Sequence, residues 1–134
     1  MNIMESDIEN LKGLVKKYCE LIHSQNEKDF KELWCKNKEC MLISVGKVFK
    51  GIDSIYKDFL IDLIQNSYSI IDLIPDDIDV NINSDDLAII IFKYHTDCIL
   101  RKNGEKFGIE GVETQIYIKE DNLWKLKHIH YSKV

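Results

Sequence analysis

Arginine is almost absent from this chain: Arg101 is the only one among 18 basic side chains, which face 23 acidic ones for a formal charge of −5. A phosphate-binding surface normally carries a basic patch with arginine in it, so the composition argues against a nucleic-acid partner. Long apolar runs are missing too. The longest, such as Ile89 to Phe92, fall far short of the ~20 residues that span a bilayer. The stretch Met1 to Glu9 lacks the basic head and apolar segment of a secretion signal, and the expected location is cytoplasmic. Cys19, Cys35, Cys40 and Cys98 form no C-x-x-C pair and have no histidine at zinc-ligand spacing, which points to reduced structural thiols and no metal. Cys35 and Cys40 could pair, but without a secretion signal there is no reason to keep a disulfide. No serine or cysteine sits in a nucleophile elbow. Proline occurs once, at Pro75, and no repeat, low-complexity tract or linker divides the chain. With 134 residues, 45% of them hydrophobic, the chain can bury one core, and a single domain over residues 1–134 is expected.

What is present is regular patterning. Ser6 followed by Glu9 reads as a capping box, and Ile8, Leu11, Val15, Tyr18 and Ile22 recur at helical spacing behind it. Met1 to Glu5, which lack that periodicity, are expected to lie outside the folded core. After His23 to Asn26 a second, short helix places Phe30, Leu33 and Trp34 on one side. Cys40 to Val45, a turn at Gly46-Lys47, and Val48-Phe49 read as a hairpin. Ile52 to Gln65 returns to the helical period. Four β segments follow, about Tyr68 to Ile82, Leu87 to Leu100, Lys106 to Lys119 and Leu123 to Ser132. Their short links of turn-forming residues make consecutive strands antiparallel neighbours.

The closing stretch carries a more specific signal. Gly111-Val112-Glu113-Thr114-Gln115-Ile116-Tyr117, then Asp121 to Leu126 with Trp124, then His128-Ile129-His130-Tyr131-Ser132 resemble the end of SnoaL-like domains of the NTF2-like superfamily. They are also similar to the related association (hub) domain of calcium/calmodulin-dependent protein kinase. Asn26 to Trp34 and Phe49-Lys50-Gly51 fit the same pattern, and the resemblance covers about residues 7–133. It implies an α+β, NTF2-like cone: three N-terminal helices packed on a strongly curved, mainly antiparallel sheet, with a pocket between them. It implies no single activity, because one scaffold hosts isomerases, cyclases, hydrolases and assembly domains.

The resemblance also supplies candidate site residues. A ketosteroid-isomerase mechanism would need a carboxylate on the first strand, where this chain has Ile43. Carried over residue by residue, the three arginines of the hub pocket fall on His95, Gln115 and Tyr131; a slip at the turn would move the first to Lys93 or Asp97. With Tyr18 and Trp34 from the helices, these form the expected ligand-binding pocket, suited to a neutral or weakly acidic ligand without cofactor or metal. If the strand register is inverted, the site belongs instead to Glu110, Thr114, His128 and His130. His128 and His130 project together on a strand, but a third metal ligand is missing, and hydrogen-bonded interface histidines are the plainer reading. His23 is expected to complement the end of the first helix. Alternation puts Ile116, Ile118, Trp124 and Leu126 on the outer face of the sheet, where a second copy would cover them in a homodimer.

Two functions follow. One is a pocket protein binding or acting on a small, largely apolar organic molecule. The other is a non-catalytic dimerisation or assembly module with a vestigial pocket. A cavity of several hundred cubic ångströms favours the first; a pocket plugged by Tyr18, Trp34 and Phe59 favours the second.

Overall fold

The structure, a computed structural model, describes residues 3–134. Helix α1 (Ile3–Ser24) buries Leu11, Val15, Tyr18 and Ile22, which fall on one face because they recur every three or four residues. Burying each such aliphatic side chain contributes about 1.5–3 kcal/mol, so the stripe holds the helix in place. The helix starts at Ile3, earlier than the sequence suggests. Ser6 therefore lies inside it instead of capping it, and Glu5 complements the N-terminal dipole. Of the segment expected outside the core, Ile3 to Glu5 are helical, and Met1 and Asn2 lie outside the described residues. Helix α2 (Glu27–Glu32) is capped by Asn26, whose side-chain oxygen accepts from the Asp29 amide at 3.0 Å. The third helix opens as one short α-helical stretch, α3 (Ile52–Ser54), and runs on as a π-helix (Ile55–Gln65). Its wider turns bring Ile55, Phe59, Leu60 and Ile64, four to five residues apart, towards the sheet.

Strands β1 (Met41–Ser44) and β2 (Lys47–Lys50) form the hairpin, followed by β3 (Tyr68–Ser84), β4 (Leu87–Leu100), β5 (Lys106–Phe107), β6 (Glu110–Glu120) and β7 (Leu123–Lys133). They make one seven-stranded sheet in the order β2-β1-β7-β6-β4-β3, with β5 beside β4. Every pairing is antiparallel except that of β1 with β7, so the sheet is mixed. It curls strongly into a half-barrel around the three helices. The expected strand from Lys106 to Lys119 is interrupted at Gly108, where the backbone passes so close to β4 that a Cβ would lie 2.6 Å from the Thr96 carbonyl oxygen.

One irregularity changes which residues face the core. The β6–β7 register shifts between Ile116, opposite His128, and Tyr117, opposite Leu126, which leaves Lys127 as an extra residue. A one-residue bulge reverses the in–out alternation. Trp124 and Leu126 therefore point inward with Ile129 and Tyr131, and both are buried. The Trp124 indole N–H donates to Asp7 of α1 at 3.0 Å, and the backbone of Leu126 pairs with Leu33 and Cys35 beside Trp34. The expected outer apolar face is thus corrected: Ile116 and Ile118 are half-buried on it, but their neighbours there are Leu87 and Ile89 of β4 and His128 of β7, not Trp124 and Leu126.

Candidate functional site

The curl of the sheet leaves a cavity of about 320 Å³ between α1, the π-helix and the inner faces of β3, β4, β6 and β7. Its wall is mostly apolar, with Ile22, Leu42, Phe59, Ile64, Ile71 and Ile129 contributing. Tyr18, Tyr94 and Tyr131 also line it, and so does one buried carboxylate, Glu113. Glu113 lies opposite Tyr131 on β7 and Phe92 on β4, so strand pairing alone brings it beside the tyrosines. Gly111, one step along the same face, makes room for them: a Cβ there would fall 2.8 Å from Tyr131 Cε1 and 3.0 Å from Tyr94 Cζ.

Glu113 is held from beneath by a buried polar chain. The Gln115 amide Nε2 donates to its Oε2 at 2.7 Å, and the Tyr117 hydroxyl donates to Gln115 Oε1 at 2.8 Å. That second bond fixes the amide so that its N–H, not its carbonyl, meets the carboxylate. Burial pushes the Glu113 carboxyl up to about 7, against the opposing pull of hydrogen bonds from Gln115 and Tyr94. Burial, then the nearby Glu113 charge, raises Tyr18 and Tyr94, while burial and Tyr68 raise Tyr131. These phenols stay protonated near neutral pH and can act as hydrogen-bond donors. Tyr18 has no hydrogen-bond partner among the described residues, and its hydroxyl is free for a ligand.

Of the five residues expected in the pocket, two line this cavity: Tyr18 and Tyr131. Gln115 faces inward as alternation requires, but it is buried behind Glu113 and reaches the cavity only through it. Trp34 is fully buried against Phe30, with ring centroids 6.0 Å apart, and belongs to the core between α2 and β7; its indole N–H has no partner among the described residues. His95 faces out. Tyr94, Thr96 and Cys98 are the inward residues of β4, so Lys93 and Asp97 share the outer face with His95. A bulge between Pro75 and Asp77 aims Asp76 at His95, whose Nδ1 lies 2.8 Å from the carboxylate. On β6 and β7 the register is not inverted: Thr114, His128 and His130 lie on the outer face, the two imidazoles edge to face at 6.4 Å. Burial lowers the His128 pKa. His23 meets Asp72 at 2.7 Å. Among the described residues no cluster of three or more His, Cys, Asp or Glu could hold a metal ion.

Glu113 and Tyr94 were not singled out from sequence. The signal for Glu113 was present: it shares the inward alternation of Gln115 and Tyr117, and a lone acid among core-facing residues marks a site. No comparable cue existed for Tyr94, whose orientation rests on the β4 register.

A family model described as SnoaL-like domain matches residues 11–134. Among solved structures, an NTF2-like superfamily protein from Salmonella enterica superposes with a TM-score of 0.90 at 20% identity, covering 97% of this chain and 92% of that one. A hexachlorocyclohexane dehydrochlorinase superposes at 0.86 with 14% identity, over 97% of this chain and 86% of that chain. A protein from Xanthomonas campestris described as a calcium/calmodulin dependent protein kinase II association domain superposes at 0.78 with 17% identity, over 92% and 85%. None of the curated proteins matches the chain.

Proposed function

The chain belongs to the SnoaL-like domain family, and we propose that its cavity binds a small, largely apolar organic molecule and moves a proton on it through Glu113. The observation that carries this reading is a carboxyl with a pKa raised to about 7 on the wall of an apolar cavity. Such a group is divided between acid and base near neutral pH, which is the condition for efficient proton transfer. Tyr94, beside Glu113 on the cavity wall, and the free hydroxyl of Tyr18 supply donors for an oxygen on which charge develops. The dehydrochlorinase relative is named for an elimination, a reaction that also removes a proton from carbon, and the likeness supports the same class here. A cavity of about 320 Å³ also speaks against a vestigial pocket. The test is a thermal-shift screen of small cyclic ketones, followed by deuterium uptake at the carbon next to the carbonyl of each hit in D2O. Wild type should exchange that hydrogen faster than solvent alone, and Glu113→Gln should bind the same ketone without exchanging it. Equal exchange in both proteins would remove Glu113 from the reaction.

A homodimer through the outer sheet is a compatible second reading. It is supported by the half-buried Ile89, Ile91, Ile116 and Ile118, which β4–β6 pairing sets side by side. Ile116→Lys should then halve the mass measured by light scattering; a wild-type protein that is monomeric at high concentration would count against it.

A further inference from the structure

Among the described residues only two charged ones line the cavity, and they stand at different depths. Glu113 is buried on the wall, whereas Lys133 is exposed at the mouth. Both positions follow from register. Glu113 is opposite Tyr131, and Lys133, two residues further along β7, is opposite Gly111, so the lysine lies one two-residue step, about 6–7 Å, outward of the Glu113 level. Lys133, like most lysines of the chain, makes no ion pair with any described residue, so its charge is available to a ligand at the cavity. The other exposed lining residues are Val45, Phe107 and one polar residue, Ser67. Phe107 stacks on Tyr68 with centroids 6.2 Å apart, and both line the opening. Val45, 79% exposed, also lines it from the two-residue β1–β2 turn, where φ is +50° at Val45 and +78° at Gly46, as a tight hairpin requires.

We infer that the ligand is a ring-bearing organic anion: an oxygen function at the deep end meets Glu113 and the tyrosines, a ring packs against Val45, Tyr68 and Phe107, and a carboxylate reaches Lys133 at the mouth. This rests on the pocket reading above and adds to it the charge and orientation of the ligand. The size is consistent. The cavity equals about ten waters in volume, room for a molecule of roughly ten to fifteen non-hydrogen atoms. The neutral form of Glu113 removes the repulsion that a carboxylate ligand would otherwise meet from the wall, and Lys133 attracts it from the solvent side. Because Lys133 is exposed, its effect is that of a screened surface pair, about two- to fivefold in affinity.

The test uses three probes at pH 6 and low salt: phenol, 4-hydroxyphenylacetamide and 4-hydroxyphenylacetate. Binding is followed by NMR shifts of Tyr94 and Tyr131 in wild type and Lys133→Met, which keeps the aliphatic stem and removes the charge. The acid should bind wild type about two- to fivefold tighter than its amide. That preference should vanish in Lys133→Met and shrink in 0.3 M salt, while the amide is unaffected by either change. An acid no tighter than the amide, or a preference that survives the substitution, overturns the inference and leaves the pocket reading standing. If none of the three probes binds at millimolar concentration, the pocket reading fails and this inference fails with it.

Discussion

Glu113→Gln should flatten one component of the pH dependence of stability. In the folded protein the carboxyl is buried and its pKa stands at about 7, against 4.5 for the unperturbed group. Between those values the native state holds the proton and the unfolded chain has lost it, so unfolding releases a proton and stability falls as pH rises. The contribution is fully present below pH 4.5, is lost through the interval up to about 7, and is level above it. A shift of this size corresponds to about 3 kcal/mol, or a melting point lower by about 10 °C at the alkaline end. Glutamine keeps the shape and can still accept from Gln115, but it has no proton to lose. The assay is urea unfolding followed by fluorescence of Trp34 and Trp124 from pH 4.5 to 8.5, taking the wild-type stability minus that of the variant. Other titrating groups cancel in the difference, which should fall by about 3 kcal/mol across the interval. A difference that stays flat, or rises with pH, would show that Glu113 is ionised in the fold and would refute the buried neutral acid.

Gly111→Ala should cost about 1–3 kcal/mol in the same urea assay, because the new methyl falls at 2.8 Å from the Tyr131 ring, and it should weaken binding of any cavity ligand as the two rings are pushed apart. Trp124→Phe keeps the packing but loses the bond to Asp7, and should lower stability by about 1–3 kcal/mol; the inward orientation implies that a charged residue at 124 unfolds the domain, seen by circular dichroism, instead of only dissociating an oligomer. All four cysteines are buried, with Cys19 pushed up to about 12 and Cys40 to about 11, chiefly by burial. Ellman's reagent at pH 8 should therefore find no fast thiol in the native protein and four after denaturation.

The sequence by itself determined the fold. Helical spacing at Leu11, Val15, Tyr18 and Ile22, turn residues between alternating strands, and the motif around Glu113-Thr114 and Trp124 are local signals, and local signals survive without coordinates. They also pointed to Tyr18 and Tyr131, both of which line the cavity; Tyr131 lies on the part of β7 beyond the bulge, where simple alternation still holds. What only the tertiary structure decided was strand parity beyond the irregular points. One extra residue at Lys127 exchanges the faces of everything before it on β7, which turned Trp124 and Leu126 from an expected interface into core. On β4 a shift of one residue separates outward His95 from inward Tyr94, and a bulge at Asp76 gives the histidine a carboxylate partner outside. Bulges leave no mark in composition or periodicity, because they are set by how a curled sheet closes over its helices. The acidity of Glu113 is likewise a property of its surroundings: sequence names the carboxyl, and only its burial in the folded sheet, which outweighs the bond from Gln115, makes it a group that exchanges its proton near neutral pH.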